Sequence, residues 1–390
     1  MLSARSRLLV LSTALLLTAC DRIQSQDDPE LTRADIKKLS KMLPKRVKDR
    51  QAWAEDILKI MDELKIERNL QNTCSIVAVV DQESNFQADP AVPNLGKTAM
   101  EELNDRLEKK LGKFVAGQFT KMLQERPTPD DNFAARLSKI HTEQELDLLY
   151  REMFEYFKDH YNLGIVTGAA SLLSGHDMAE YFNPVKTLGS MQVHIQHAVA
   201  NAKELSSTNL LRDQMYTRYG GMYYGIHRLM TYPAQYDKAI YRFADYNSGM
   251  YSSRNASIQQ AVAKLLKTEM GLDGDLLLYN KDREALGKPS ETELNIQRLF
   301  REHGVIISER QIRKHLLKEK QAEFEETETY QHIRQLYKTR FEKELPYAMM
   351  PQVVISGPKL SRDYDTNWFA TRVNGRYMKC RNIGKNLGLK

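Results

Sequence analysis

Three short segments carry the residues best suited to do chemistry. In Val80-Asp81-Gln82-Glu83-Ser84-Asn85-Phe86 an acid stands where an apolar run ends. Burial at such a position would raise the carboxyl pKa and let Glu83 act as a general acid. In Thr187-Leu188-Gly189-Ser190-Met191-Gln192-Val193 a glycine turn is followed by polar side chains set among apolar ones. In Arg242-Phe243-Ala244-Asp245-Tyr246-Asn247-Ser248-Gly249 a helical pattern runs into an asparagine turn closed by glycine. Each segment alone reads as an ordinary helix cap or loop. Competing constellations are weaker. His194 and His197 stand three apart, a spacing that could hold a metal on one helix face. No zinc-protease glutamate and no third ligand accompany them, so no metal or other cofactor is expected. Ser171 to Gly175 lacks the Gly-x-Ser-x-Gly elbow of serine hydrolases, and no phosphate-cradling glycine loop occurs. The run Lys314-His-Leu-Leu-Lys-Glu-Lys reads as a solvated helix face rather than a nucleic-acid site.

The surrounding pattern is mainly helical. Trp53, Ile57, Leu58, Ile60, Met61 and Leu64 recur at helical spacing, and the apolar run Cys74 to Val80 makes a second helix ending near Glu83 or Ser84. Leu103, Leu107, Leu111, Phe114, Phe119 and Met122 form one stripe, and Leu146, Leu149, Met153 and Phe157 form another. Glu125 to Asp131, with two prolines, separates them. Further helices are predicted over Tyr223–Met230, Tyr236–Ala244 and Ile258–Lys267, with charged ones between Glu291 and Lys343. Past Pro346 the pattern turns extended. Phe369 to Val373 and Arg376 to Cys380 flank Asn374-Gly375, a strong hairpin signal, so a small C-terminal β-hairpin is expected.

The order of the three segments is informative. Glu-Ser-x-Phe, Gly-x-Met-Gln and a Tyr-Asn-x-Gly turn, in that sequence, resemble the signature of lytic transglycosylases in the lysozyme-like superfamily. Glu83, Ser84 and Phe86 match the first element; Gly189, Met191 and Gln192 match the second, with Ser190 where the family has Leu. Tyr246, Asn247 and Gly249 match the third, with Asp245 interposed after Ala244. The resemblance implies a lysozyme-like (α+β) fold in which Glu83 is the one catalytic acid. Glu83 would protonate the MurNAc-GlcNAc bridging oxygen, then take the proton of the MurNAc C6 hydroxyl, leaving a 1,6-anhydro sugar. Tyr246 would hold Glu83 by a hydrogen bond. Ser84 and Gln192 would orient sugar or acid, Met191 would contribute to the substrate groove, and Asn247 would form the turn or contact the acetamide.

From Glu83 to Gln192 is 109 positions, far longer than the family's connection, so residues 90–185 are expected to be a helical insertion forming a packed subdomain beside the cleft. The expected organisation is a signal peptide at 1–20 and a tether with a first helix at 21–50. A transglycosylase domain follows at 51–280, then a helical extension with the β element at 281–390. A non-catalytic peptidoglycan-binding scaffold is the alternative from a different functional class.

Where the protein resides is written near its start. Arg5 and Arg7, the apolar run Leu8 to Leu17, and Thr18-Ala19-Cys20 make a secretory signal, and Leu17-Thr18-Ala19-Cys20 resembles a bacterial lipobox. The resemblance implies that Cys20 becomes the acylated first residue on the periplasmic face of a membrane; Asp21 behind it leaves the inner or outer membrane open. The whole chain also resembles an uncharacterised family of proteobacterial lipoproteins. Expected partners are peptidoglycan strands, the lipid bilayer and other envelope proteins, not nucleic acid. The 390 residues are 42% hydrophobic and 28% charged with a net charge of +6, and loss of Arg5 and Arg7 leaves +4, a weak excess with no basic block. Two cysteines remain, Cys74 and Cys380. They could pair in an oxidising compartment or persist as two thiols with Cys74 packed as a small hydrophobe.

Overall fold

The computed structural model describes residues 33–160, 183–203, 207–280, 283–355 and 363–389. The signal segment with Cys20, the polar stretch to Glu30 and the end of the expected insertion lie outside these residues. None of the described helices is long and apolar enough to cross a membrane.

The protein is mainly helical. Helices α1 (Arg33–Met42), α2 (Arg50–Glu63) and α3 (Leu70–Glu83) come first. α3 is capped by Asn69, whose side chain accepts from the Asn72 N–H at 2.8 Å. From Cys74 to Val80 every apolar side chain is buried. A helix hydrophobic all round belongs in the middle of a core, and α3 is enclosed by three others. These are α9 (Arg218–Met230), α10 (Ala239–Ser248) and α15 (Thr366–Asn386).

α15 corrects the sequence reading. No hairpin forms at Asn374-Gly375; residues 366–386 are one helix, and Asn374 and Gly375 sit inside it with Gly375 exposed. The buried residues Phe369, Ala370, Val373, Tyr377, Cys380 and Gly384 recur every three or four positions, which is the period of a helix facing a core. Tertiary burial outweighs the local turn preference of Asn-Gly. At Gly384 a Cβ would stand 2.3 Å from Leu70 Cδ1, so glycine there permits the close approach of α15 to α3. The β structure of this region is a two-residue pair instead, Val354–Ile355 with Tyr364–Asp365.

Cys74 of α3 and Cys380 of α15 form a disulfide across 306 positions, with Cα atoms 5.5 Å apart. A cross-link closing so long a loop restricts the unfolded chain strongly, and removal of a native disulfide typically costs ~2–5 kcal/mol. Cys380→Ala is expected to lower unfolding stability by an amount in that range. A non-reducing peptide map of the wild type should contain the cross-linked peptide. Two free thiols per chain in the oxidised protein would disprove the bond.

The 90–185 region supplies α4 (Leu95–Glu125), α5 (Phe133–Ser138) and α6 (Glu143–His160). Leu103, Leu107, Phe119, Leu123, Phe133, Leu146, Met153 and Phe157 belong to the same apolar cluster as residues of α2, α3, α9 and α15, while α4, α5 and α6 pack chiefly on one another; the described part of this region is helical and packed. One stripe residue is misplaced by the sequence reading: Phe114 is 79% exposed. Gly112 interrupts α4 with φ 79° and ψ 160°, which rotates the helix beyond it and breaks the stripe's register.

Two short strands, β1 (Thr187–Leu188) and β2 (Val193–His194), form a hairpin leading into α7 (Ile195–Ala200) and α8 (Thr208–Met215). Beyond α10, helices α11 (Ser252–Leu266), α12 (Glu291–Glu302), α13 (Glu309–Leu316) and α14 (Glu328–Phe341) build a second core around Ile258, Leu299, Phe300, Phe324 and Tyr337. The boundary in the packing therefore falls near residue 250, and α15 returns to the first core. The run at 314–320 is not simply solvated, since His315, Leu316 and Glu319 are buried and Glu319 accepts hydrogen bonds from the Leu276 N–H and the Tyr279 hydroxyl.

Candidate functional site

Glu83 is the last residue of α3. Behind it the chain turns through Asn85 (φ 52°) and Phe86 (φ 61°), two successive left-handed residues without a glycine, a conformation of order 1–3 kcal/mol above ordinary backbone for each. The turn is held from both ends. Phe86 is buried edge-on against Trp53 at 5.3 Å, and Arg46 donates to Asn85 Oδ1 at 2.9 Å. Arg46 also pairs with buried Asp81, whose other oxygen lies 3.0 Å from Arg376 Nε of α15. The end of α3 is thereby fixed to the loop before α2 and to the C-terminal helix.

The Gly189 segment reaches Glu83's neighbourhood through close backbone packing. Gly189 has φ 74°, and a Cβ on it would stand 2.3 Å from Met215 O and 2.8 Å from Gly221 Cα. A Cβ on Gly225 would meet the Met191 side chain at 2.4 Å. Gly221 and Gly225, four apart, thus make one face of α9 that receives the hairpin turn. The Tyr246 hydroxyl of α10 then donates to Met191 O at 2.7 Å, joining the second and third segments.

The three segments therefore converge, but several roles implied by the family resemblance are not reproduced. Met191 is fully buried against Gly225 and is core, not groove. The Gln192 amide donates to Glu143 Oε2 at 2.9 Å and its oxygen accepts from Thr187 Oγ1 at 3.0 Å, so it braces the hairpin onto α6. Ser84 is buried, donates to Val80 O and accepts from the Gln87 N–H, both at 3.3 Å; it closes the helix. The proton of Tyr246 goes to Met191 O and not to Glu83, because a buried carbonyl is the acceptor that must be satisfied. Asn247 is half-buried, and its side chain makes no hydrogen bond among the described residues. The interposed Asp245 is fully sequestered and accepts from the Tyr232 and Tyr236 hydroxyls, Ser252 Oγ and the N–H groups of Tyr251 and Ser253. It folds the loop after α10 back upon itself.

Glu83 accepts no hydrogen bond among the described residues. It keeps partial solvent access, yet protein surrounds its carboxyl, and that poorly polarisable medium governs its charge. Burial pushes the carboxyl up to about 8, against a smaller downward pull from Arg228. Glu83 is therefore mostly protonated at neutral pH. Tyr246 is held well above its ordinary value by burial and then by the nearby Glu83 charge, so its phenol stays neutral.

Arg228, on α9, was not singled out by the sequence reading, although a lone arginine among Tyr223, Tyr224, Ile226 and Leu229 was the available signal. It is buried, donates to Tyr246 O at 3.1 Å and lies 5.5 Å from the Tyr246 ring. Its charge bears on His194 and His197, and His227 precedes it on α9. His194 Nδ1 caps α7, and His197 Nε2 meets His227 Nδ1 at 3.2 Å. Burial lowers His194 to about 4, with Arg283, Lys186 and Arg228 adding to the effect; burial, then Arg228, lowers His197 to about 3. Burial also depresses His227. All three are neutral at pH 7. Among the described residues no group of three or more His, Cys, Asp or Glu could hold a metal.

Residues 46–382 match the family described as Protein of unknown function (DUF1615). The chain belongs to the DUF1615 family. The uncharacterized protein YaiW of Escherichia coli (strain K12) is 35% identical to it over 341 residues, 87% of each chain. No solved structure matches. The matched DUF1615 span takes in every element of the candidate site, from Arg46 through Glu83, Arg228 and Tyr246 to Cys380.

Proposed function

We propose that the protein is a lipid-anchored peptidoglycan lytic transglycosylase of lysozyme-like character, with Glu83 as its single acid and base. The observation that carries the reading is the Glu83 carboxyl at the end of α3, enclosed by protein without a hydrogen-bond partner among the described residues, near the Tyr246 phenol; burial pushes it up to about 8. Glu83 gives its proton to the oxygen bridging MurNAc and GlcNAc, the C1–O bond breaks, and the GlcNAc end departs with its hydroxyl restored. The resulting carboxylate takes the proton of the MurNAc C6 hydroxyl as that oxygen bonds to C1. Proton in and proton out balance, and no second carboxylate or cofactor is needed. Asn247, whose amide makes no hydrogen bond among the described residues, is suited to contact the acetamide. The deciding experiment is mass spectrometry of the products that the purified protein releases from sacculi: 1,6-anhydro ends support the reading, and reducing ends indicate a hydrolase.

A scaffold that binds glycan without cleaving it is the second reading. It is favoured by the commitment of Ser84, Met191 and Gln192 to internal contacts. Binding to sacculi with no released product would establish it.

The anchor belongs to the same proposal. Metabolic labelling with a fatty-acid analogue is expected to mark the wild type and not Cys20→Ala; equal labelling of the two would refute lipidation.

A further inference from the structure

Contrary to the sequence reading, the chain does contain a basic block. Residues 33–50, which are α1 with the loop to α2, carry eight lysines and arginines against two aspartates, a net of +6 that equals the net charge of the whole chain. Arg33, Lys37 and Lys41 stand four apart and so form one row along α1, with Lys38 beside it. All four are exposed, and Leu39, Met42 and Leu43 are buried on the opposite side. Lys45 and Lys48 are exposed in the loop that follows. None of these six cations has an ion-pair partner among the described residues, and Asp35, the one acid of α1, lies 3.9 Å from Arg68. Like charges four apart on a helix repel one another, so a negative surface laid against the row relieves a strain that the folded chain does not relieve by itself.

The block is part of the rigid body. Its loop is pinned by buried Val47 and by Arg46, which pairs with Asp81 and donates to Asn85 Oδ1 at 2.9 Å. Lys45 also lines an open cleft of about 630 Å³ at the start of α2, together with Ser40, Asp49, Arg50, Gln51 and Arg218. The lining has three cations to one acid, of which Arg218 is shared with Asp56. A cleft of this volume lies in the range that takes small ligands.

We propose that the basic row of α1 and the adjoining cleft dock the body on an anionic phospholipid surface, with headgroup phosphates as the ligands. This rests on the lipid-anchor reading above and deepens it by naming the face that meets the bilayer. Cys20 stands thirteen positions before Arg33, and that many residues reach at most ~45 Å, so the anchor holds α1 close to the membrane. Charge complementarity then turns this side of the body towards the headgroups, because each basic residue near an anionic bilayer typically favours binding ~5-fold.

The test uses the full acylated protein, purified in detergent and reconstituted on vesicles of phosphatidylglycerol mixed with phosphatidylcholine or of phosphatidylcholine alone. Flotation reads the anchor. Reductive dimethylation followed by mass spectrometry reads the accessibility of Lys37, Lys41 and Lys45 against exposed Lys264 of the second core. The protein is expected to float with both vesicles, and the three lysines should react at least ~5-fold more slowly on phosphatidylglycerol, with Lys264 unchanged. Sodium chloride at ~1 M, which screens charges within ~3 Å, should erase the difference. Lys37→Gln combined with Lys41→Gln alters only exposed, unpaired side chains and should weaken docking ~25-fold, returning Lys45 to its rate on phosphatidylcholine. Equal reactivity on both vesicles in protein that floats with both overturns the docking face and leaves the anchor standing. Flotation with phosphatidylglycerol alone, with the row protected and salt releasing it, supports docking and overturns the anchor. Slow reaction in detergent and on both vesicles alike assigns the row to the chain's own Asp27, Asp28 and Glu30 and overturns the proposal. So does protection that only added sacculi produce, which assigns the row to the cell wall.

Discussion

Glu83→Gln is expected to abolish release of 1,6-anhydro muropeptides from sacculi while leaving the protein folded. Glutamine keeps the volume at the end of α3 and breaks no hydrogen bond, because Glu83 makes none among the described residues. What it removes is the cycling proton, and proton transfer by a positioned side chain is typically worth ~10²–10⁴-fold in rate. The pH dependence follows from the raised carboxyl. An acid that must enter the reaction protonated loses activity as pH passes about 8, so kcat/KM should fall on that alkaline limb. Stability has its own signature. Between the ordinary glutamate value of 4.5 and about 8, the folded protein holds a proton that the unfolded chain has released. Folding stability contributed by this group is thus complete below 4.5 and is lost as pH rises through about 8. Glu83→Gln lacks that loss and should gain on the wild type with rising pH across this window. Tyr246→Phe should slow release without stopping it, since it orphans the buried Met191 carbonyl beside the acid and an unsatisfied buried acceptor costs ~1–3 kcal/mol. If wild type and Glu83→Gln release the same traces while both bind sacculi, the scaffold reading replaces the enzyme.

The largest stability effect is expected at Asp147→Ala. The side chains of Asp147 and Arg212 are both fully buried, with Nε to Oδ1 at 2.9 Å. Asp147 also accepts from Asn183 Nδ2 at 2.5 Å and from Arg151 at 2.9 Å, while the Arg212 fork donates to Val185 O at 3.1 and 2.6 Å. This network ties α6 to α8 and to the segment entering β1. Removing one partner of a buried pair leaves the other's charge less compensated and typically costs ~3–5 kcal/mol. Asp147→Leu combined with Arg212→Met removes both charges and should cost less than Asp147→Ala alone. Urea unfolding of the three proteins measures this, and a loss below ~0.5 kcal/mol for Asp147→Ala, the level of an ordinary surface change, would show that the pair carries little. Because the same α6 holds Gln192 through Glu143, weakening the network should also loosen the hairpin that positions Tyr246.

The sequence revealed most about elements whose burial is one-sided and periodic. α2, α3, α6 and the end of α3 at Glu83 follow from apolar spacing alone, because local pattern and tertiary environment agree there. It failed where a long-range partner decides. Asn374-Gly375 is a turn by local preference, and only the wall of α3 makes its segment helical. The site shows the same division. The convergence of the Glu83, Gly189 and Tyr246 segments was legible from their order, whereas the destinations of Gln192, Ser84 and the Tyr246 proton depend on Glu143, Val80 and Met191. No motif marks those partners. Arg228 escaped notice because its place beside Tyr246 comes from the packing of α9 on α10, a property of space and not of spacing.

The bond between Cys74 and Cys380 also sets a schedule. Chains emerge N-terminus first, so α3 is synthesised some 300 residues before the helix that covers it. Until α15 arrives, the acid-bearing helix has an apolar flank without its wall, and contacts between segments so distant in sequence are slow to form. A chain interrupted before Thr366 would lack Arg376 as well as Cys380, leaving Asp81 without one of its two guanidinium neighbours. The carboxyl at the end of α3 thus gains its full set of neighbours only after the last helix is complete.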